Sequence, residues 1–152
     1  MHMDVQALLK SKNRCLHQLI SVTEEALRAA SGAGSILDSR LSDALPNFDR
    51  TRNAIFNAIE LVDREISQAI SKITPHTQPS QHQRQELKNM MEEQRTLIES
   101  LQSLDSRLFD ILGETMRAGQ KELTQHLKQR DQLNRFKSQS TPETGEGLDQ
   151  KL

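Results

Sequence analysis

The feature that most constrains this chain is a stripe of apolar residues running almost unbroken from Leu87 to Leu133. Leu87, Met90, Gln94, Leu97, Leu101, Leu104, Leu108, Ile111, Thr115, Ala118 and Glu122 follow one another in steps of three and four. Met91, Ile98, Leu112, Met116, Leu123, Leu127 and Leu133 stand beside them. Such steps put one residue per turn on the same side of an α-helix. No proline interrupts the stretch between Ser80 and Thr141. The spacing therefore predicts a helix from about Ser80 to Lys137, roughly 87 Å long at 1.5 Å per residue. A rod of that length cannot hide its stripe alone. It must lie along other helices, from this chain or from a partner.

Composition agrees with a narrow helical seam. The chain has 152 residues, enough for one domain, with 34% apolar and 27% charged residues. Trp and Tyr are absent and four Phe are present, so an aromatic-rich core is excluded. Mean hydropathy is -0.69, and no apolar run approaches the length of a membrane span. The 20 basic and 21 acidic residues nearly cancel, which excludes the global field of a general nucleic-acid binder. One local asymmetry stands out. Lys121, Lys128, Arg130, Arg135 and Lys137 outnumber Glu122 and Asp131 near the end of the long helix. Cations suit a helix C-terminus, and they also suit an acidic docking partner.

The single cysteine, Cys15, permits no internal disulfide and reads as a small core residue beside Leu16. The N-terminus turns polar within a few residues, so no signal peptide is read and the cytoplasm is the expected compartment.

Two further helices are predicted. In the first, Asp4 is a suitable N-cap, and Val5, Leu8, Cys15, Leu16, Leu19, Ala26, Leu27 and Ala30 recur at helical spacing. Gly32 and Gly34 are expected to cap and break it. Ser35 to Leu45 is ambiguous, with a short helix plausible, and Pro46 ends it or begins the next. The second long helix carries Phe48, Arg52, Ile55, Ile59, Val62, Ile66 and Ile73, with the Arg52 stem packed and its head in water. Two prolines between Thr74 and Ser80 make a loop, and Ser80 is a good N-cap for the third helix. Gly113 and Gly119 weaken that helix without shifting its phase, and read as close-packing points or a slight bend.

The expectation is an all-α antiparallel bundle, or hairpin, of three long helices with coiled-coil-like packing. A single helical domain would cover 3–137, with helices at about 4–30, 47–73 and 80–137, followed by a disordered tail over 138–152. Leu97, Leu101, Leu104, Leu108 and Ile111 would face Ile55, Ile59, Val62 and Ile66.

Catalytic chemistry has no visible carrier. Phosphate loops, CxxC pairs, HExxH and GxSxG motifs are all missing. Glu122 and His126 share a helix face, but a surface contact is the simpler reading than a metal pair. Neither catalytic, cofactor-binding nor metal residues are assigned.

Two segments resemble a known family. Leu101-Gln102-Ser103-Leu104-Asp105-Ser106-Arg107-Leu108-Phe109-Asp110-Ile111-Leu112 begins one. The charged stretch ending in Gln132-Leu133-Asn134-Arg135-Phe136 continues it. Together they resemble the C-terminal half of the flagellar type III export chaperones of the FlgN/FliT family, in which a Leu-Asp or Leu-Asn turn precedes a leucine-rich stretch. Lys128, Arg130, Arg135 and Phe136 match the basic and aromatic ending of FliT-like members. Arg50, Arg52, Ile55, Ala58 and Ile59 are similar to the second helix of these chaperones. Phe136 stands where Tyr is more usual, and Ser31 to Pro46 replaces a glutamate-rich stretch. The resemblance implies a cytoplasmic chaperone that holds a helical segment of a late axial or cap subunit and delivers it to the export apparatus. A client helix laid into a groove between helices is a common recognition mode.

The second helix is too short to cover the third. Met116, Leu123, Leu127, Leu133 and Phe136 are therefore the expected partner-binding residues. Lys128, Arg130 and Arg135 flank them and steer an acidic segment. The competing expectations are a structural coiled-coil adaptor that oligomerises on the same stripe, with a homodimer as its simplest form, and a helical regulatory protein.

Overall fold

In the computed structural model, which describes residues 4–74, 76 and 78–140, the chain is all-α: three helices and, among these residues, no strand. Helix α1 spans Val5–Gly32, α2 spans Ser39–Ser71 and α3 spans Gln81–Ser140. No helix among the described residues is long and apolar enough to cross a membrane.

Each start follows from a polar cap. The Asp4 carboxylate accepts from the Gln6 N–H at 3.4 Å, and Asp38 does the same for the Arg40 N–H at 2.9 Å. Ser80 and Gln83 form a reciprocal pair: the Gln83 N–H donates to Ser80 Oγ at 3.2 Å, and the Ser80 N–H donates to Gln83 Oε1 at 2.9 Å. Two otherwise unpaired donors are satisfied at once.

Three boundaries depart from the sequence reading. α2 begins at Ser39 and carries Pro46 in its interior, so the ambiguous stretch is the first part of α2. Pro46 cannot donate to the Ser42 carbonyl. The turn stays helical because Leu41 is fully buried and Leu45 packs against the same cluster. Gly32 is the last residue of α1 rather than a left-handed cap, and the chain leaves through Ala33 at φ -88° and ψ 134°. No glycine among the described residues has positive φ. Finally, α3 continues through Ser140, three residues into the stretch read as tail. The rest of that tail lies outside the described residues.

The topology also differs. α1 lies between the other two and packs closely on both, whereas α2 and α3 run antiparallel with few direct contacts. α1 and α3 are parallel. The Gln6 side-chain amide donates to Glu86 at 2.6 Å, the Asn13 amide donates to the Met90 carbonyl at 3.1 Å, and His17 meets Glu93 at 3.4 Å. α2 runs against them, with Lys12 paired to Asp63 at 2.7 Å. The long apolar stripe of α3 therefore faces α1 first. Leu97, Leu101 and Leu108 are buried. Of the expected α2 partners only Ile55 is buried, in a cluster with Leu19 and Leu101, and Ile59 borders it. Val62 and Ile66 stay half-buried. α1 supplies most of the core through Leu8, Leu9, Leu16, Leu19, Ala26, Leu27 and Ala30. Each buried leucine is worth about 1.5–3 kcal/mol relative to exposure. Cys15 is half-buried against the Leu19 cluster.

Besides the apolar clusters that Ile55 and Leu41 share with α3, one contact between α2 and α3 is ionic. Arg52 reaches across to Asp105 with two bonds, at 2.6 and 2.7 Å, so its head is paired and not left in water. The guanidinium also lies over the rings of Phe48 and Phe56, at 5.7 and 5.1 Å from their centres. The Asp105 bond raises the Arg52 pKa above that of an ordinary arginine, against the opposing pull of partial burial.

Candidate partner-binding surface

The bundle stops at a defined point on α3. The α1–α2 connection bends over the long helix there, and the Ile36 N–H donates to the Thr115 carbonyl at 2.9 Å. The Ile36 side chain rests on Gly119, where a Cβ would collide with Ile36 Cγ2. Ser35 is buried, and its Oγ donates to Glu122 Oε2 at 3.2 Å. Gly119 is thus a close-packing point. Gly113 is not, since a Cβ there would meet only the Arg117 guanidinium at 3.8 Å. Glu122 is turned toward Ser35 and makes no ion pair with His126.

Beyond this clamp no described residue covers α3 through Lys137. Every residue from Gln120 to Lys137 is exposed. At 1.5 Å per residue the projecting arm is about 30 Å long. Leu123, Leu127, Leu133 and Phe136 all stand on it, and Met116, level with the clamp, is 52% exposed. Among the described residues no hydrogen bond or ion pair engages the side chains of Lys128, Arg130 or Arg135.

Helix geometry sorts these residues. Met116, Leu123 and Leu127 are spaced by seven and four and lie on one line of α3. Phe136 follows Leu127 by nine residues, which is half a turn out of phase, so it points the opposite way. Leu133 falls on a flank between them. The arm therefore brings together Met116, Leu123 and Leu127 and separates them from Leu133 and Phe136. Arg117, Lys121, Lys128 and Arg135, at intervals of four, seven and seven, form a basic row beside the apolar line.

The same apolar line continues back along the bundle. Phe109 is 65% exposed and sits seven residues before Met116, and Met91 is 61% exposed further back. Phe109 is not among the partner-binding residues expected from the sequence. Its signal was the i, i+7 spacing of Phe109, Met116 and Leu123, out of phase with the stripe that packs on α1. A groove of about 670 Å³ lies between α1 and α3, lined by Ile20, Leu97 and Leu104 together with His17, Glu24 and Glu99. Among the described residues no group of three or more His, Cys, Asp or Glu side chains is placed to hold a metal ion.

No protein-family model, no curated protein and no solved structure matches this chain.

Proposed function

We propose that this chain is a binding protein that masks the apolar face of a partner's amphipathic helix along the projecting arm of α3, in the manner of a cytoplasmic flagellar export chaperone. The observation that carries the reading is the arm itself: α3 leaves the bundle at Gly119 with Met116, Leu123 and Leu127 uncovered on one line. An amphipathic helix docks on such a line through anchors at i, i+4 and i+7. Met116 adapts to imperfectly matched partners because its side chain is flexible and polarizable. The role is non-catalytic, since masking and releasing a helix needs no nucleotide or reactive group. The segments Leu101 to Leu112 and Lys128 to Phe136, which resemble the FlgN/FliT family, support the class of client: a helical segment of a late axial or cap subunit, handed on to the export apparatus.

The test is a double substitution, Leu123→Asp with Leu127→Asp. The variant should keep the helix content and melting temperature of the parent. Isothermal titration against terminal helical segments of flagellar axial and cap subunits should show binding by the parent and none by the variant. Undiminished binding by the variant, or a collapse of its melting curve, sinks the reading.

A further inference from the structure

We propose that α3 pairs with α3 of a second copy of this chain, antiparallel and around a two-fold axis at Gly113. This goes beyond client binding and rests on α3 alone, whatever the client.

The face concerned is the one turned away from α1. Helix phase puts Phe109, Gly113 and Met116 on it, and Phe109 and Met116 are more than half exposed. Apart from Lys88, most of its charges are ordered along the helix. Glu92, Glu99 and Asp110 occupy one row before Gly113, and Arg117, Lys121, Lys128 and Arg135 continue that row after it. Residues equally far from a two-fold axis meet across it when two such helices run antiparallel. Asp110 then meets Arg117 of the second copy, Glu99 meets Lys128, and Glu92 meets Arg135, each pair equidistant from Gly113 to within one residue. Arg95 and Asp131 carry their charges in the reverse order, and they too are equidistant from Gly113. On the apolar side Phe109 meets Met116, and Ile98 meets Leu127, by the same measure. All the charged residues named are exposed; within the chain Arg95 pairs with Glu99 at 3.2 Å, and Glu99 also lines the α1–α3 groove, so dimerisation exchanges that exposed pair for the two intermolecular ones.

A parallel, in-register pair would set Glu99 on Glu99 and Lys128 on Lys128, so the charge order selects the antiparallel arrangement. Gly113 fits the axis. A glycine inside a helix weakens it by about 1 kcal/mol relative to alanine. Nothing in the bundle approaches Gly113 closely enough to require one. At the centre of a helix pair, the missing side chain lets two backbones come together. The second copy would lie on Met116 and Leu127, so it and a client compete for the arm.

Sedimentation equilibrium tests the pairing. The parent should dimerise below about 100 µM. Glu99→Lys and Lys128→Glu should each weaken the dimer by about tenfold or more, because both symmetric pairs become like-charged. The double variant restores the pairs with reversed polarity and should dimerise within about threefold of the parent. A parent that stays monomeric overturns the proposal, and so does a double variant as weak as the singles. Cross-linking fixes the direction. In a Cys15→Ser background, a mixture of Ile98→Cys and Leu127→Cys chains should form disulfide-linked dimers. Leu127→Cys alone should not, since its two copies lie about 42 Å apart at 1.5 Å per residue. Efficient cross-linking of Leu127→Cys alone would show a parallel pair. None of these outcomes reads client binding, so the client proposal stands or falls separately.

Discussion

The side chain of Ile36 occupies the space in which position 119 would carry a Cβ. Together with the Ile36 N–H bond to Thr115, this contact ties the α1–α2 connection to the long helix. Gly119→Ala should therefore lower stability by about 1–3 kcal/mol in urea unfolding, through overpacking, despite alanine's better helix propensity. Adding Ile36→Ala should recover part of the loss. Additive losses would mean that the two positions do not share one site.

Gly113→Ala should behave in the opposite way. With room for a methyl group, the substitution should raise monomer stability by about 0.5–1 kcal/mol, measured at dilution. A destabilised Gly113→Ala would reveal a close neighbour at this position.

Asp105→Asn should cost about 1–3 kcal/mol, because Arg52 loses a charged acceptor at a site where both side chains are mostly covered. A double-mutant cycle with Arg52→Met should return a coupling of the same order. Arg52→Lys should be destabilising as well, since an ammonium cannot make two parallel bonds to Asp105 or lay a planar group over Phe48 and Phe56. The raised Arg52 pKa sets the pH behaviour. Its contribution is fully present below the ordinary arginine range and is lost only as pH rises through the higher folded-state value. The arginine side of this pair should therefore add no slope to stability across neutral pH.

Pro46→Ala should stabilise the fold by about 1–3 kcal/mol, by returning the missing bond to the Ser42 carbonyl inside α2. Chemical denaturation reads the gain directly. A loss instead would show that packing around Leu41 and Leu45 depends on proline at this position.

Three helices were legible in the sequence because their apolar positions recur at the helical period and Ser80, Asp4 and the two-proline loop punctuate them. The start of α2 was not. Pro46 is a strong local stop, and it is overridden by burial of Leu41, a tertiary effect that no local pattern carries. The central position of α1 was equally hidden, since a stripe on α3 says that something covers it and not which helix does. Arg52 looked like a snorkelling residue because its partner, Asp105, is distant in sequence. For the candidate site, exposure of the distal residues followed from helix lengths alone. Which of them share a face followed from counting by 3.6, and that count separates Leu133 and Phe136 from Met116, Leu123 and Leu127.

The parallel course of α1 and α3 has a consequence for how the protein is made. The polar contacts between Gln6 and Glu86, Asn13 and Met90, and His17 and Glu93 span 80, 77 and 76 residues. That of Ser35 with Glu122 spans 87. α1 is made before α3, so its contacts with α3 cannot all close until the chain has been synthesised through Glu122. Contacts this far apart must close long loops before they stabilise anything, which slows folding. For that interval the nascent chain displays the face of α1 that α3 later covers.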